Sequence, residues 1–209
     1  MKNSAIFLFL ITTVICLFSG CSKAQEKLQD ENVSQMNKNI LIVYLSRTKN
    51  TKAVATIIHK NVGGSLVELE LQNPYPEDYK TIVAQVANEN ETGFLPPLKT
   101  KIENIEKFDV VFLGFPTWGM QLPPPMKSFL KQYNLEGKTI VPFNTNAGYG
   151  IGSTFQTVKE LCPKSKVLEG FSTKGGIERD GVLYVMEGEK EKGVQLEVQK
   201  WLKKIGFTN

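Results

Sequence analysis

The chain predicts an α/β fold: a three-layer, doubly wound sandwich around a five-stranded parallel sheet in the order 2-1-3-4-5. Three observations predict it. Ile40–Leu45, Asp109–Gly114 and Thr139–Phe143 are largely continuous apolar runs, as expected of parallel strands covered on both faces. Segments with helical spacing separate them, and strands alternating with helices imply βαβ units. Leu66–Leu71 instead alternates apolar with polar residues, which suits an edge strand. Right-handed crossovers then place that strand outside the first.

The elements follow in order. Strand Ile40–Leu45 leads into a helix over Thr51–Asn61. Strand Leu66–Leu71 is followed by a helix over Glu77–Asn90, and strand Asp109–Gly114 by one over Pro124–Tyr133. After strand Thr139–Phe143 comes a helix over Ser153–Leu161, with Ser153 as its N-cap. Lys166–Phe171 is a weaker strand for the opposite edge. The final helix, Glu189–Ile205, carries Val194, Leu196, Val198, Trp201, Leu202 and Ile205, and Gly206 stops it. Pro142 conflicts with a central strand because it lacks an N–H donor, and a bulge is the expected accommodation. Asp180-Gly181 between apolar stretches predicts a hairpin within an extra segment, Gly175–Val185, which either covers an edge of the ligand site or braces the last helix.

The ends indicate export. Lys2 precedes an uncharged apolar run, Ala5–Phe18, shorter than the roughly 20 residues that span a bilayer. It has the form of a secretory h-region, so residues 1–20 are expected to be a signal peptide. Leu17-Phe18-Ser19-Gly20-Cys21 resembles a bacterial lipobox, although Phe18 stands where a smaller aliphatic residue is usual. Cys21 is then the lipidated residue and the chain a membrane-anchored lipoprotein of the cell envelope. An uncleaved anchor or an ordinary signal peptide is the alternative. Residues 21–38, polar with no apolar period, form a tether with a reach of roughly 20–25 Å. Residues 39–209 form one domain.

Composition narrows the chemistry. The formal charge of +4 falls to +3 when Lys2 leaves, with both signs interspersed and no Lys/Arg run, so nucleic acid is not an expected partner. Beyond Cys16 and Cys21 only Cys162 remains, and the single histidine, His59, lies among polar neighbours. One His and one thiol argue against Cys–His catalysis and against a metal site. The absence of paired carboxylates argues against hydrolysis. No catalytic side chain is expected.

The binding signal is Ser46-Arg47-Thr48-Lys49-Asn50-Thr51, between a buried strand and a helix. A helix N-terminus leaves unpaired N–H groups and partial positive charge, and the hydroxyls of Ser46, Thr48 and Thr51 add donors, a combination suited to phosphate. The sheet order puts this turn at the switch between strands 1 and 3, where open α/β sheets bind ligands. The loop after strand 3, Phe115–Met120, and the loop after strand 4, Asn144–Gly152, converge there. Trp118 on the first is a candidate for stacking on a planar ligand, with a packing role as the alternative. Tyr149, between Gly148 and Gly150, is a candidate second wall or a turn tyrosine without ligand contact.

The three loops, in this order and context, resemble those of flavodoxins over roughly Ile40–Gly176. The resemblance implies FMN as cofactor. By it Ser46, Thr48, Asn50 and Thr51 hold the phosphate. Pro116, Thr117, Trp118 and Gly119 flank the ring, and Asn144, Thr145, Asn146, Ala147, Gly148, Tyr149 and Gly150 meet its pyrimidine edge. Lys49 stands where the family usually has Gly; if the position needs φ > 0, Lys costs about 1 kcal/mol there. Lys49 and Arg47 would recover some of that by pairing with the phosphate. The chain also lacks the strong acidity of many soluble flavodoxins, so electrostatic docking to basic reductases is not expected.

The resulting expectation is an FMN-binding redox protein carrying electrons at a membrane surface, with a partner protein or a quinone. The alternatives are an NAD(P)H-dependent FMN or quinone reductase and a flavodoxin-fold binding lipoprotein that has lost the cofactor.

Overall fold

A computed structural model describes residues 38–209, which form one compact unit. The expected signal peptide, Cys21 and all but the last residue of the tether lie outside the described residues. Within them no helix is long and apolar enough to cross a membrane.

The strands are β1 (Ile40–Tyr44), β2 (Ser65–Glu68), β3 (Val110–Pro116), β4 (Thr139–Asn146), β5 (Lys166–Val167) and β6 (Phe171–Lys174). The helices are α1 (Asn50–Val62), α2 (Tyr79–Thr92), α3 (Pro124–Gln132), α4 (Thr154–Leu161) and α5 (Gly188–Lys204). All ladders are parallel, in the order β2-β1-β3-β4-β5, with β6 also on β4. This is the predicted doubly wound order.

Strand residues alternate between two cores. Ile40, Ile42, Val110, Phe112, Val141 and Phe143 face α1 and α5, where Val54, Ile58, Val198 and Trp201 meet them. Leu41, Val43, Val111, Leu113, Phe115 and Ile140 face the other way, onto Met126, Phe129 and Val158 of α3 and α4. Each central strand is therefore buried on both sides, which explains its unbroken apolar sequence. Cys162 is buried in the second core. Leu196, expected among the packing residues of the last helix, faces solvent.

β2 ends at Glu68, short of the expected Leu71, and β3 runs on through Phe115 and Pro116, which were expected in the loop. Four further features differ from expectation. First, β4 runs on to Asn146, because β3 and β6 pair with Asn144 and Thr145 from both sides. Asn144–Asn146 are thus strand residues and not loop. Second, the last edge strand is broken into β5 and β6, and the break accommodates Pro142. The Ile140 carbonyl accepts from Leu168, so by alternation Pro142 also turns toward that edge, opposite residues 168–170 where the ladder is interrupted. Its missing N–H leaves no acceptor unpaired in the sheet interior. Third, Asp180-Gly181 closes a short 3₁₀ turn, Glu178–Asp180, with Gly181 left-handed and a single Ile177–Val182 bridge in place of a ladder. Finally, Ser153 precedes α4 as expected but makes no side-chain cap; its hydroxyl donates to the Met120 carbonyl at 3.4 Å.

Candidate functional site

At the C-terminal end of β1 the Leu45 amide is still held by Gly114, and the chain then turns through residues 46–49 into α1. Lys49 occupies the turn's last position with φ 64° and ψ −5°, the left-handed conformation that makes Gly the easier residue there. The Ser46 hydroxyl accepts from the Lys52 N–H at 3.2 Å and caps the first turn from outside. The amides of Thr48, Lys49, Asn50 and Thr51 donate to no protein acceptor among the described residues. With no acid in the first turn of α1, four consecutive unpaired N–H groups and the helix dipole make an anion cradle.

The side chains of this turn face other tasks. The Arg47 Nε donates to Glu178 at 2.6 Å, and its Nη1 and Nη2 donate to the carbonyls of Pro76 at 2.9 Å and Glu77 at 2.5 Å. Its guanidinium is engaged with protein. Asn50 is buried: its amide donates to the Thr48 hydroxyl at 2.8 Å and the Leu183 carbonyl at 2.6 Å, and its Oδ1 accepts from the Val185 N–H at 3.1 Å. The Thr51 hydroxyl meets that of Thr145 at 2.8 Å. Lys49 is exposed and its side chain does not enter the cavity beside the turn. The anion site is therefore chiefly backbone.

That cavity measures about 910 Å³ and lies between the turn, the loops after β3 and β4, the segment after β6, and α2. Of the residues singled out in the sequence it gathers Arg47, Thr48, Asn50, Thr51, Pro116, Thr117, Trp118, Gly119, Thr145, Asn146, Ala147, Tyr149 and Gly150. Ser46, Lys49, Asn144 and Gly148 stand outside its lining. Ser46 lines a smaller recess with Leu69 and Leu71. Asn144 is fully buried beneath the loops, where it donates to the Phe115 carbonyl at 3.1 Å and the Thr117 hydroxyl at 2.9 Å and accepts from Ser172 at 3.1 Å. Its position inside β4 dictates that bracing role.

Asn146 shapes the glycine-rich loop. Its Oδ1 accepts from the amides of Gly148 at 2.9 Å and Gly150 at 3.2 Å, which turns alternate N–H groups inward. The intervening Tyr149 amide has no protein acceptor among the described residues. Gly152, with φ 55°, is required where this loop meets the preceding one: a Cβ there would strike the Met120 carbonyl. The Tyr149 ring is exposed at the rim, and Trp118 is half-buried. Trp118 is held edge-on by Tyr75, with ring centroids 5.4 Å apart at 85°. The Tyr75 hydroxyl donates to the buried Glu89, which also accepts from Gln85 at 2.8 Å. Burial, then Glu89, raises the Tyr75 hydroxyl pKa and keeps it a neutral donor. Trp118 is thus packed against Tyr75 and also lines the cavity.

One wall, that from α2, escaped the sequence reading, and two others take the places weighed for them. Tyr79, Val83 and Ala87 recur at four-residue spacing along α2 and line the cavity, together with the buried Ile82 and Val86. A second apolar stripe on one helix was the available signal. Met120 and Gln121 extend the Trp118 turn. Gly175–Arg179 closes the cavity from the far side, and Gly176 is needed because a Cβ would strike the carbonyls of Val182 and Leu183. The extra segment also braces α5, since Met186 is buried in the first core. Asp180 first, then Tyr149, raises the Arg179 guanidinium above its already high range. Among the described residues no group of His, Cys, Asp and Glu converges as a metal site.

A doubly wound parallel sheet with a backbone anion cradle at its switch point, and an aromatic on each neighbouring loop, defines a mononucleotide-binding α/β protein. The flavodoxin family model matches residues 39–188, and the chain belongs to the flavodoxin family. A Bacteroides eggerthii protein provisionally assigned as a flavoprotein is 30% identical, with 81% of this chain and 98% of that one aligned at a TM-score of 0.65. A Lactobacillus acidophilus flavoprotein, solved in complex with FMN, shares the fold at 20% identity and a TM-score of 0.57, covering 69% of this chain and 98% of that one. No functionally curated protein matches the chain.

Proposed function

We propose that this protein is an FMN-binding electron carrier anchored at a membrane surface through Cys21. The observation that carries the cofactor is the run of four unpaired amides, Thr48 to Thr51, opening into a cavity flanked by Trp118 and Tyr149. Family membership and the FMN complex of the Lactobacillus protein support it. The site passes a test of fit. Lys49 points to solvent and leaves the cradle open, and the charged side chains Arg47 and Glu178 neutralise each other, so a dianionic phosphate meets N–H dipoles.

FMN would supply the redox chemistry. The chain's own residues bind, orient and shield. Backbone N–H groups of residues 48–51 hold the phosphate, and Thr51 and Thr145 lock α1 to β4 beneath it. Trp118, braced by Tyr75, provides an inner face for the ring, and Tyr149 an outer, exposed one. The Asn144–Asn146 network sets the height of the glycine-rich loop, whose outward amides point at the ring edge. No side chain is assigned a proton-transfer role. The lipobox-like sequence supports the anchor, and export argues for a membrane electron donor in place of cytoplasmic NAD(P)H.

The test is titration of residues 38–209 with FMN under flavin fluorescence. Quenching at micromolar FMN is the expected result; its absence overturns the cofactor. Bleaching of the bound flavin by dithionite and not by anaerobic NADPH separates a carrier from a reductase. Cys21→Ala in the full chain should move the protein out of the membrane fraction, and continued retention would remove lipidation from the proposal.

A further inference from the structure

We infer that the side of the cavity walled by α2 is a second ligand compartment, built for a small, neutral, planar molecule of the quinone class lying beside the flavin end. The inference rests on the FMN reading of the same cavity. Its physical basis is an apolar wall supplied by α2, an element distinct from the phosphate turn and the two ring loops. Tyr79, Val83 and Ala87 line the cavity from α2, and Trp118 and Met120 line it from the turn after β3. Tyr79 stands 37% exposed, Val83 48% and Met120 46%, high values for side chains that border a concave site. The buried residues of α2, Ile82 and Val86, belong to neither sheet core, so this wall is not consumed by packing on the sheet. At about 910 Å³ the cavity lies at the upper end of the range for ligand pockets, roughly 300–1,000 Å³.

Charge selects the class of occupant. The charged side chains lining the cavity are Arg47, Glu91, Glu178 and Arg179. Arg47 is paired with Glu178, and Arg179 with Asp180. Only Glu91 lacks an ion-pair partner among the described residues, so the groove offers no uncommitted cation to the phosphates of a nicotinamide dinucleotide. A neutral ring lying along the apolar face of Tyr79, Val83 and Ala87 suits it. A quinone becomes a quinol by taking up two electrons and two protons; a bound, fully reduced FMN would supply both electrons and one or both protons, with solvent supplying the remainder.

The experiment uses residues 38–209 and menadione as the probe. Equilibrium dialysis of the FMN-loaded protein should show saturable menadione binding at a single site. Val83→Trp, which fills the groove from α2, should weaken that binding about tenfold or more. Leu196→Trp, the same bulk on the exposed side of α5, should leave it in place. After dithionite reduction, the rate of flavin reoxidation should saturate with menadione in the parent protein and become linear in Val83→Trp. Menadione uptake without saturation, or equal uptake by the two Trp variants, overturns the inference while leaving FMN binding intact. FMN fluorescence is read separately, so loss of the flavin reading, which would take this one with it, registers as absent quenching. A thermal melt of each variant separates groove filling from misfolding, and Val83→Asp, which places charge on the same wall, must show the same loss.

Discussion

Arg47 and Glu178 are 131 residues apart in the chain and 2.6 Å apart in the fold. Through this pair the anion-binding turn, the segment after β6 and the carbonyls of Pro76 and Glu77 are joined by one guanidinium. Both side chains are about one-fifth exposed, 19% and 21%, which lifts the pair above a freely solvated contact. Glu178→Ala should cost about 1 kcal/mol in urea unfolding and speed amide exchange over residues 177–185. Unaltered exchange there would show that the segment is held by other contacts.

Asn50 holds the same segment from below. Replacing it with Ala leaves the Leu183 carbonyl and the Val185 N–H without their partners in a part-buried setting. The expected loss is about 2 kcal/mol by denaturant titration, larger than for Glu178→Ala because a buried side chain with three hydrogen bonds is removed.

Lys49 carries strain that Gly would relieve. At φ 64°, Lys49→Gly should gain about 1 kcal/mol of native-state backbone energy, offset in part by a freer unfolded chain. The net effect expected is a small rise in urea midpoint with FMN affinity unchanged. A clear fall in affinity would assign the ammonium to the phosphate after all.

Trp118→Ala should weaken FMN binding by about 1–3 kcal/mol, read as a shift in the quenching titration. Tyr75→Leu should weaken it less, through loss of the edge contact that fixes the indole. If Tyr75→Leu matches Trp118→Ala, orientation of the ring outweighs contact area.

Burial pushes the Cys162 thiol from 9.0 up to about 11, and burial with Glu68 raises the Tyr44 hydroxyl from 10.0 to about 12. Both groups are favoured as neutral acids in the folded state. Their contribution is complete below the unfolded values and disappears as pH rises through the folded ones. Unfolding free energy should therefore decline from about pH 9 to 11 through Cys162, and further toward 12 through Tyr44. Cys162→Ala should flatten the first part of that decline, and an unchanged slope would exclude the thiol.

The strands, their order and the location of the binding turn were legible because each leaves a local mark. A strand buried on both faces is apolar at every position, an edge strand alternates, and a turn that presents amides to an anion is short and rich in hydroxyl groups. Trp118 and the glycines around Tyr149 were legible for the same reason. The conformation required of Lys49 was inferable from the resemblance, and the backbone has it.

What only the tertiary structure decided depends on contacts between distant residues. Asparagines that favour turns became strand in β4 because β3 and β6 flank them, and pairing outweighs propensity. Pro142 is tolerated because its edge neighbour is interrupted opposite it. Arg47 and Asn50 turned away from the anion role because Glu178, Leu183 and Val185 return to them from more than a hundred residues on. The apolar groove along α2 exists because Ile82 and Val86 belong to neither sheet core, and helical periodicity does not encode which neighbour a second stripe will face. The sequence by itself determined the sheet and the place where a phosphate can bind; the fold decided that backbone amides make the cradle and how large a space opens beside it.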